Sequence, residues 1–109
     1  MAIYLTKAKY SNSAFHGMLA SPSDREQAGR ALFKAAGVEV HHMYFEISSG
    51  SVIVISKGSA DQMATVGMVT GASGAFDSIE ATELISMGNM SEAMVTAKGI
   101  AKAYAAPNK

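Results

Sequence analysis

The sequence predicts a single α+β domain built on a four-stranded antiparallel sheet. Three observations support it: four segments have the alternation or the β-branched content of strands, helical segments with capping residues separate them, and a short loop joins the second and third strands. The chain has 109 residues, of which 49% are hydrophobic. That suffices for one core but not for two, so we expect one domain over residues 1–109.

The first half of the chain is predicted to form a strand, a short helix and a long helix. Residues 3–8 alternate apolar and more polar side chains, which is typical of a strand with two different faces. Residues 13–20 carry apolar side chains at helical spacing. Ser21 is placed to cap a helix over residues 22–36, and Gly37 suits the left-handed position that ends many helices.

A hairpin and another capped helix follow. Residues 38–47 and 52–56 are rich in β-branched and aromatic residues, and the loop between them contains Gly50, as tight hairpins favour. Ser59 and Gln62 have the spacing of a capping box, in which each side chain bonds the backbone of the other residue. We therefore expect an antiparallel strand pair and then a helix.

The last strand and the last helix complete the pattern. Residues 76–85 alternate again, and residues from about 90–104 place apolar side chains at intervals of three or four. The order is βαββαβ, followed by a C-terminal helix. This order describes a ferredoxin-like sandwich, in which both principal helices cover the same face of the sheet.

The uncovered face of this sheet predicts a second copy of the chain. In a monomer that face should be polar, yet the second and third strands are apolar on both sides. Two sheets packed face to face bury such residues, and twofold pairing is the commonest symmetric arrangement. We expect a homodimer, a dimeric α/β barrel; a membrane surface is the alternative, but no basic rim supports it. The apolar residues concerned are Val38, Val40, Tyr44, Val52, Ile53, Val54 and Ile55.

Charge and cysteine content argue against several classes of partner and site. Nine basic and nine acidic residues balance, so nucleic acid is not expected as a partner. The absence of cysteine excludes disulfides, thiolate metal sites and cysteine nucleophiles. No stretch approaches the roughly 20 apolar residues of a membrane span, and Lys7 and Lys9 interrupt the start of the chain before a signal-peptide core can form. We expect a cytoplasmic protein without a membrane span.

Several of these features together resemble the GYD-domain family. They are Tyr4-Leu5-Thr6, the short helix before Ser21-Pro22, the long helix to Gly37, Tyr44, the hydrophobic third strand and the helix that contains Asp61. The resemblance extends from residue 1 to about residue 95. It implies a dimeric α/β barrel in which two ferredoxin-like sheets pack together, with no established biochemical activity for most members.

The chain departs from that family at the turn for which the family is named. The glycine, tyrosine and aspartate of the family align with Ser48, Gly50 and Ser51. No role of that tyrosine or that carboxylate is therefore carried over. The final helix is also longer than the family's usual ending.

Strand alternation predicts where polar groups converge, because neighbouring strand residues point to opposite faces. If the apolar row of the second strand lies under the helices, its alternate row faces the dimer side, and the same logic sends polar residues of the first and fourth strands there. Two interpretations are open for His16: it overhangs a pocket between helix and sheet, or it is a surface or capping group, as a lone histidine on a short helix more often is. Residues expected under the helices are Met43, Phe45, Ile47, Ile3 and Leu5; those expected opposite include Ser78, Glu80 and Thr82. The predicted ligand-binding residues are Tyr4, Thr6, His16, His42, Tyr44 and Glu46.

Three functions are compatible with this arrangement. Polar groups on an apolar wall and eight methionines, which suit adaptable apolar surfaces, favour binding of a small apolar or amphipathic molecule with a fatty-acid-like tail. Its site would be a cavity between sheet and helices or at the dimer interface. One alternative, by the resemblance to dimeric α/β barrels, is a cofactor-independent monooxygenase or isomerase with His42 as the base. Another is a structural assembly protein, in which the polar residues only make cross-strand and cross-dimer hydrogen bonds.

No metal and no cofactor is expected. His41 and His42 are adjacent on a strand and cannot point at one ion, and no third ligand has suitable spacing nearby. The two glycine-serine loops lack the lysine and the strand-to-helix context of a phosphate-binding loop. They are predicted to be turns.

Overall fold

The structure is a computed structural model that describes residues 1–108. The end of the predicted domain, Lys109, lies outside the described residues. The elements are β1 (Ala2–Tyr10), α1 (Asn12–Ala20), α2 (Arg25–Ala35), β2 (Glu39–Glu46), β3 (Ser51–Gly58), α3 (Ala60–Ala72), β4 (Phe76–Leu84), α4 (Met87–Ile100) and a 3₁₀ turn (Ala101–Ala103).

The four strands form one antiparallel sheet in the order β2-β3-β1-β4. Strands β1 and β3 are central, and the two edges are β2 and β4. Helix α2 packs over β2 and helix α3 packs over β4. This confirms the predicted α+β, ferredoxin-like arrangement, with both principal helices on one face.

Capping side chains determine where the helices begin, and they correct the predicted start of α2. In α3 the Ser59 hydroxyl accepts from the Gln62 N–H at 3.1 Å, and the Ser59 N–H donates to the Gln62 side chain at 2.9 Å, which confirms the capping box. In α2 the cap is Asp24, whose carboxylate accepts from the Gln27 N–H at 3.1 Å. Ser21 instead ends α1. A carboxylate is favoured at the positive end of a helix, so α2 starts later than predicted.

The C-terminal helix also has different limits from those predicted. The Ser86 hydroxyl caps α4 by accepting from the Asn89 N–H at 3.0 Å. The prediction placed the start of the helix near residue 90 and its end near residue 104. Regular helix ends at Ile100, and the 3₁₀ turn takes up part of the remainder.

The turn from α2 to β2 has the predicted glycine. Gly37 has φ +82°, in the left-handed region that glycine adopts at little cost. The Val38 N–H then donates to the Phe33 carbonyl at 2.8 Å. This bond closes the helix end and directs the chain back along the edge of the sheet.

The core lies between the sheet and the helices α2 and α3. It is a cluster of buried residues contributed by three strands or strand ends and both helices, with partly buried neighbours such as Leu32, Val40 and Met43 packed around it. The buried members are Tyr4, Phe33, Val38, Val54, Met63 and Val66.

Helix α4 projects away from this core. None of its residues is buried, and the molecule measures 59 × 32 × 22 Å with a radius of gyration of 18.1 Å. A compact domain of this length has a radius of gyration of about 13 Å. The helix is therefore an arm, whose exposed apolar side chains include Met87, Met94, Val95 and Ile100. Across residues 1–108, no helix has both the length and the apolarity to cross a membrane.

Candidate functional site

The helix-covered face of the sheet, called the helix face below, carries the opposite row of β1 from the one predicted. Tyr4, Thr6 and Ala8 are buried there, at 8%, 6% and 4% exposure, whereas Ile3 and Leu5 point to the other side and are half-buried. The predicted orientation of β1 was wrong. Both sides of this central strand carry apolar residues, so alternation alone does not show which row faces the helices.

The predicted orientations of β2 and β4 are largely confirmed. Met43 lies under α2, where its side chain approaches Gly29. In β4, Ser78, Glu80 and Thr82 lie opposite Lys9, Lys7 and Leu5 of β1 and so share the uncovered side. The remaining members of the apolar row differ: Phe45 stacks on Tyr10 with ring centroids 6.4 Å apart, and Ile47 lies beyond the end of β2, 90% exposed.

A cavity of about 420 Å³ lies between the helix face and the helices α1, α2 and α3. Small residues line it on the helix side, namely Ala28 and Gly29 in α2 and Gly67 in α3. A Cβ at Gly67 would meet no atom within 4 Å. The walls are mainly apolar and include Ala8, Leu32, Phe33, Met43, Val52, Val54, Met63, Val66, Phe76, Ile79 and Ala81.

Thr6 is the unusual residue of this cavity. It lines the cavity from the middle of the sheet, directly between Val54 of β3 and Ala81 of β4. Its Oγ1 is buried and has no hydrogen-bond partner, alone among the buried side-chain polar atoms of residues 1–108. Two other polar residues on the wall are satisfied: the Thr70 hydroxyl donates to the Val66 carbonyl at 2.8 Å, and the Ser73 hydroxyl donates to the Thr70 carbonyl at 2.6 Å.

Arg25 is the charged residue at the opening of the cavity. It is exposed, lies at the start of α2 and also lines a second, more open cavity of about 480 Å³ between α1, α2 and β2. Its guanidinium donates to the Ser23 hydroxyl at 3.3 Å. The carboxylates beside it in sequence are engaged elsewhere, Asp24 as the helix cap and Glu26 with Arg30 at 2.8 Å.

The uncovered side of the sheet, called the open face below, combines an apolar band with polar ends. Cross-strand register places Ile55 between Leu5 and His42, and Ile53 between Lys7 and Tyr44. Apolar residues thus occupy the middle of the face on the two central strands. The band continues to the edges of the sheet and consists of Ile3, Leu5, Tyr44, Ile53, Ile55 and Leu84.

Glu46 lies at one end of the open face in a small polar network. Its carboxylate accepts from the Ser49 hydroxyl and pairs with the Lys7 Nζ at 2.9 Å, while Ser49 also bonds the Ser51 hydroxyl at 2.7 Å. The hydrogen bond from Ser49, then that from Lys7 and its positive charge, lower the pKa of Glu46 below its ordinary 4.5. The group is therefore a carboxylate at neutral pH, a hydrogen-bond acceptor and not a proton donor.

The sequence profile of the GYD domain matches residues 4–94. The chain belongs to the GYD-domain family. Among solved structures, the crystal structure of SCO4226 from Streptomyces coelicolor A3(2) is similar: the two chains are 20% identical, the match covers 78% of this chain and 100% of that chain, and the TM-score is 0.45. No curated protein matches the sequence. The family match includes every strand but stops within α4.

The altered β2–β3 turn of this GYD domain is held by hydrogen bonds. Gly50 has φ +68°, and its N–H donates to the Glu46 carbonyl at 3.0 Å. The Gly50 carbonyl accepts from the Tyr10 N–H at 3.0 Å, which ties the turn to the end of β1. Ser51 is fully buried. Ser49 and Ser51 thus serve the turn and the Glu46 network.

The structure does not bring the six predicted ligand-binding residues of this GYD domain together. Tyr4 is part of the core and Thr6 lines the cavity, both on the helix face. His16 is exposed on α1 and lines neither cavity. The open face carries His42, Tyr44 and Glu46, of which Tyr44 also lines the second cavity.

His42 and its neighbours form a surface cluster on the open face. The His42 and Tyr44 rings stack, with centroids 6.2 Å apart and planes 12° apart. His41 is the extra residue of a bulge in β2 and contacts the Glu39 carboxylate at 3.2 Å. No group of three or more side chains that could hold a metal ion is present within residues 1–108.

Sequence reasoning missed two residues that define the cavity, Arg25 and Gly67. Arg25 lies outside the apolar positions of α2, so its spacing indicates only a solvated residue on the outer side of the helix. Gly67 was passed over inside an apolar helix. An isolated glycine within a helix costs about 1 kcal/mol relative to alanine, which is the signal that could have drawn attention to it.

Proposed function

We propose that this GYD domain binds a small apolar or amphipathic molecule in the cavity between the helix face and α2 and α3. The observation that supports this best is the Thr6 hydroxyl, which lacks a partner in a largely apolar cavity of about 420 Å³. Small-molecule sites have volumes of about 300–1,000 Å³, mostly apolar walls and a few polar groups that orient the ligand.

The energetics of Thr6 favour an organic ligand over water. A buried hydroxyl without a partner costs about 1–3 kcal/mol. A bound water needs two to four polar partners, and the cross-strand neighbours of Thr6 are Val54 and Ala81, whose side chains offer none. In the proposed complex an apolar molecule with one oxygen fills the volume with van der Waals contacts, and the Thr6 side chain turns to bring Oγ1, which is enclosed in the ligand-free protein, to that oxygen.

The test uses 1-octanol as the probe, an apolar chain with one hydroxyl, and isothermal titration calorimetry as the measurement. Gly67→Leu places a side chain in the empty space beside α3, so it should weaken octanol binding by at least about 10-fold through loss of cavity volume. Gly71→Leu is the matched control on the same helix, because Gly71 also has open space around it but does not line the cavity.

Both substitutions replace a helical glycine and should raise helix stability similarly, so a difference in binding reports the cavity. No octanol binding by the unaltered protein, or equal binding by both variants, would count against a ligand site at this position.

We also propose that the protein is a homodimer that buries the open face. The supporting observations are the apolar band on that face and the projecting arm α4, whose apolar side chains have no cover within the chain. Four strands of eight or nine residues present roughly 19 × 26 Å, or about 500 Å², and one side of α4 adds roughly 21 × 10 Å. Together they approach the roughly 800 Å² per partner of a stable interface.

The chain's charge is compatible with self-association. Basic and acidic residues are equal in number, so two copies do not repel each other through net charge. In such a dimer His42 and Tyr44 lie at the interface. Their role is then the predicted structural one, contacts between the two copies. A catalytic role for His42 stays a prediction, and it requires that the second copy complete the site.

A further inference from the structure

Arg25 stands at the opening of the cavity without a carboxylate partner, and this suggests the chemistry of the ligand's exposed end. Among the ion pairs of residues 1–108, formed by Lys7, Arg30 and His41, none involves Arg25. Its one side-chain hydrogen bond, to Ser23 at 3.3 Å, is long and neutral. A guanidinium has five donors in a planar fork, so most of its capacity is unused.

We infer that the ligand is an amphipathic carboxylic acid whose carboxylate pairs with Arg25 while its chain occupies the cavity over Thr6. This rests on the proposed function, that the cavity binds a small molecule. The guanidinium fork matches a carboxylate with two parallel hydrogen bonds, and the opposite charges strengthen both.

The position of Arg25 suits it to pair with a charged end of the ligand that stays in water, and not with an end that is buried in the cavity. Arg25 is exposed although it lines the cavity, so a carboxylate beside it stays in contact with water and avoids the cost of full burial. The chain leads from there to walls formed by Leu32, Phe33 and Val66. The site thus combines one exposed cation with walls that are mainly apolar.

The neighbouring carboxylates do not compete for Arg25. Asp24 accepts the Gln27 N–H and caps α2, and Glu26 pairs with Arg30 one helical turn away at 2.8 Å. The free N–H groups at the start of α2 add to the positive potential at the opening. A ligand carboxylate therefore meets a cation that the protein itself leaves unpaired.

The experiment uses isothermal titration calorimetry at neutral pH to compare the binding of octanoate and of 1-octanol. It is carried out on the unaltered protein and on variants of α2. In Arg25→Gln, octanoate affinity should fall roughly 10-fold, as expected for loss of a charge-assisted pair at the edge of an apolar site. Octanol affinity should change less than about 2-fold, because octanol carries no charge for Arg25 to meet. Lys34→Gln is the control, since Lys34 is an exposed cation of the same helix that lines neither cavity.

Two other outcomes separate a failure of the carboxylate inference from a failure of the cavity proposal. If octanoate and octanol both bind and Arg25→Gln changes neither, or weakens both equally, the carboxylate inference is wrong and the cavity proposal stands. If neither probe binds the unaltered protein, the proposed function fails and this inference fails with it. A conservative Arg25→Lys variant should retain part of the octanoate preference, because it keeps the charge and loses the planar fork.

Discussion

The two faces of the sheet differ in how they treat polar and apolar residues. The helix face is closed by α2 and α3, yet it contains a cavity and a hydroxyl without a partner at Thr6. The open face is uncovered, yet it presents an apolar band in which Ile53 and Ile55 are only half-buried. Each face thus departs from the usual pattern in a different way: the helix face encloses unfilled volume, and the open face leaves apolar side chains uncovered.

This difference teaches that covering a surface and packing it tightly are separate properties. Covered surface is usually packed to the density of organic crystals, but the glycine at position 67, beside which a Cβ would meet no atom within 4 Å, leaves space unfilled here. Exposed surface is usually polar, but β-branched residues on both sides of β3 prevent that here. The predictions below test the open face first and then the helix face, in order of expected effect.

The largest effect is expected from a charge at the centre of the open face. Ile55→Lys should convert a dimer into a monomer, raising the dissociation constant by at least about 100-fold, as loss of a central interface residue does. Sedimentation velocity over a range of concentrations measures this. Ala64→Lys, on the exposed surface of α3, is the control and should leave the dimer intact.

The same variant separates the two faces. Ile55→Lys should still bind 1-octanol, because Ile55 lies on the opposite side of the sheet from the cavity. An unaltered protein that remains monomeric at millimolar concentration would remove the homodimer proposal, with no consequence for the cavity.

A smaller effect is expected from removing the unsatisfied hydroxyl of the helix face. Thr6→Val keeps the shape of the side chain, so the protein without ligand should gain about 1 kcal/mol in its free energy of unfolding. Urea denaturation measures the change. Thr6→Ser is the control: it keeps the hydroxyl, loses a buried methyl group, and should destabilise the protein by about 1 kcal/mol.

Octanol binding should respond to Thr6→Val in the opposite direction from stability. Loss of the hydrogen bond from Thr6 should weaken binding by roughly 5-fold. If Thr6→Val instead destabilises the protein without ligand, the hydroxyl has a favourable partner and its role in recognition is wrong.

The smallest effect is expected from the polar end of the open face. The pKa of Glu46 should lie below 4.5 and move up towards it in Lys7→Met, because one hydrogen bond and one positive charge are removed. Carbon-13 NMR of the Glu46 carboxyl through an acid titration measures it. Lys9→Met, on the same face but without a contact to Glu46, should leave the pKa unchanged.

Because the folded pKa of Glu46 is depressed, its contribution to stability is present above the unfolded pKa. It is lost as pH falls through the lower folded value. The loss should therefore be confined to acid below about pH 4.5, the ordinary value for this group. A Glu46 pKa at or above that value would show that Ser49 and Lys7 do not stabilise the carboxylate.

Much of the fold could be predicted from the sequence because its signals are local. Alternation located β1 and β4, Gly50 marked the hairpin, and Ser59 with Gln62 marked the start of α3. At α2 the predicted cap, Ser21, was wrong, because the Asp24 carboxylate caps that helix. The family resemblance was confirmed by the match over residues 4–94.

Less of the site could be predicted, because it depends on which way each strand faces. Tyr4 and Thr6 were expected beside His42 and lie on the other side of the sheet. Periodicity gives the spacing of a row but not its direction, and β1 has apolar residues in both rows. One wrong direction was enough to join residues of two faces into one predicted site.

The sequence by itself determined the α+β order, the hairpin, the helix end at Gly37 and the balanced charge, since each follows from neighbours a few residues apart. Only the tertiary structure decided that Thr6 would face a cavity and that Arg25 would stand at its opening. The physical reason is that a cavity, or a buried hydroxyl without a partner, depends on how separate elements pack against one another. A local sequence pattern carries no information about that packing.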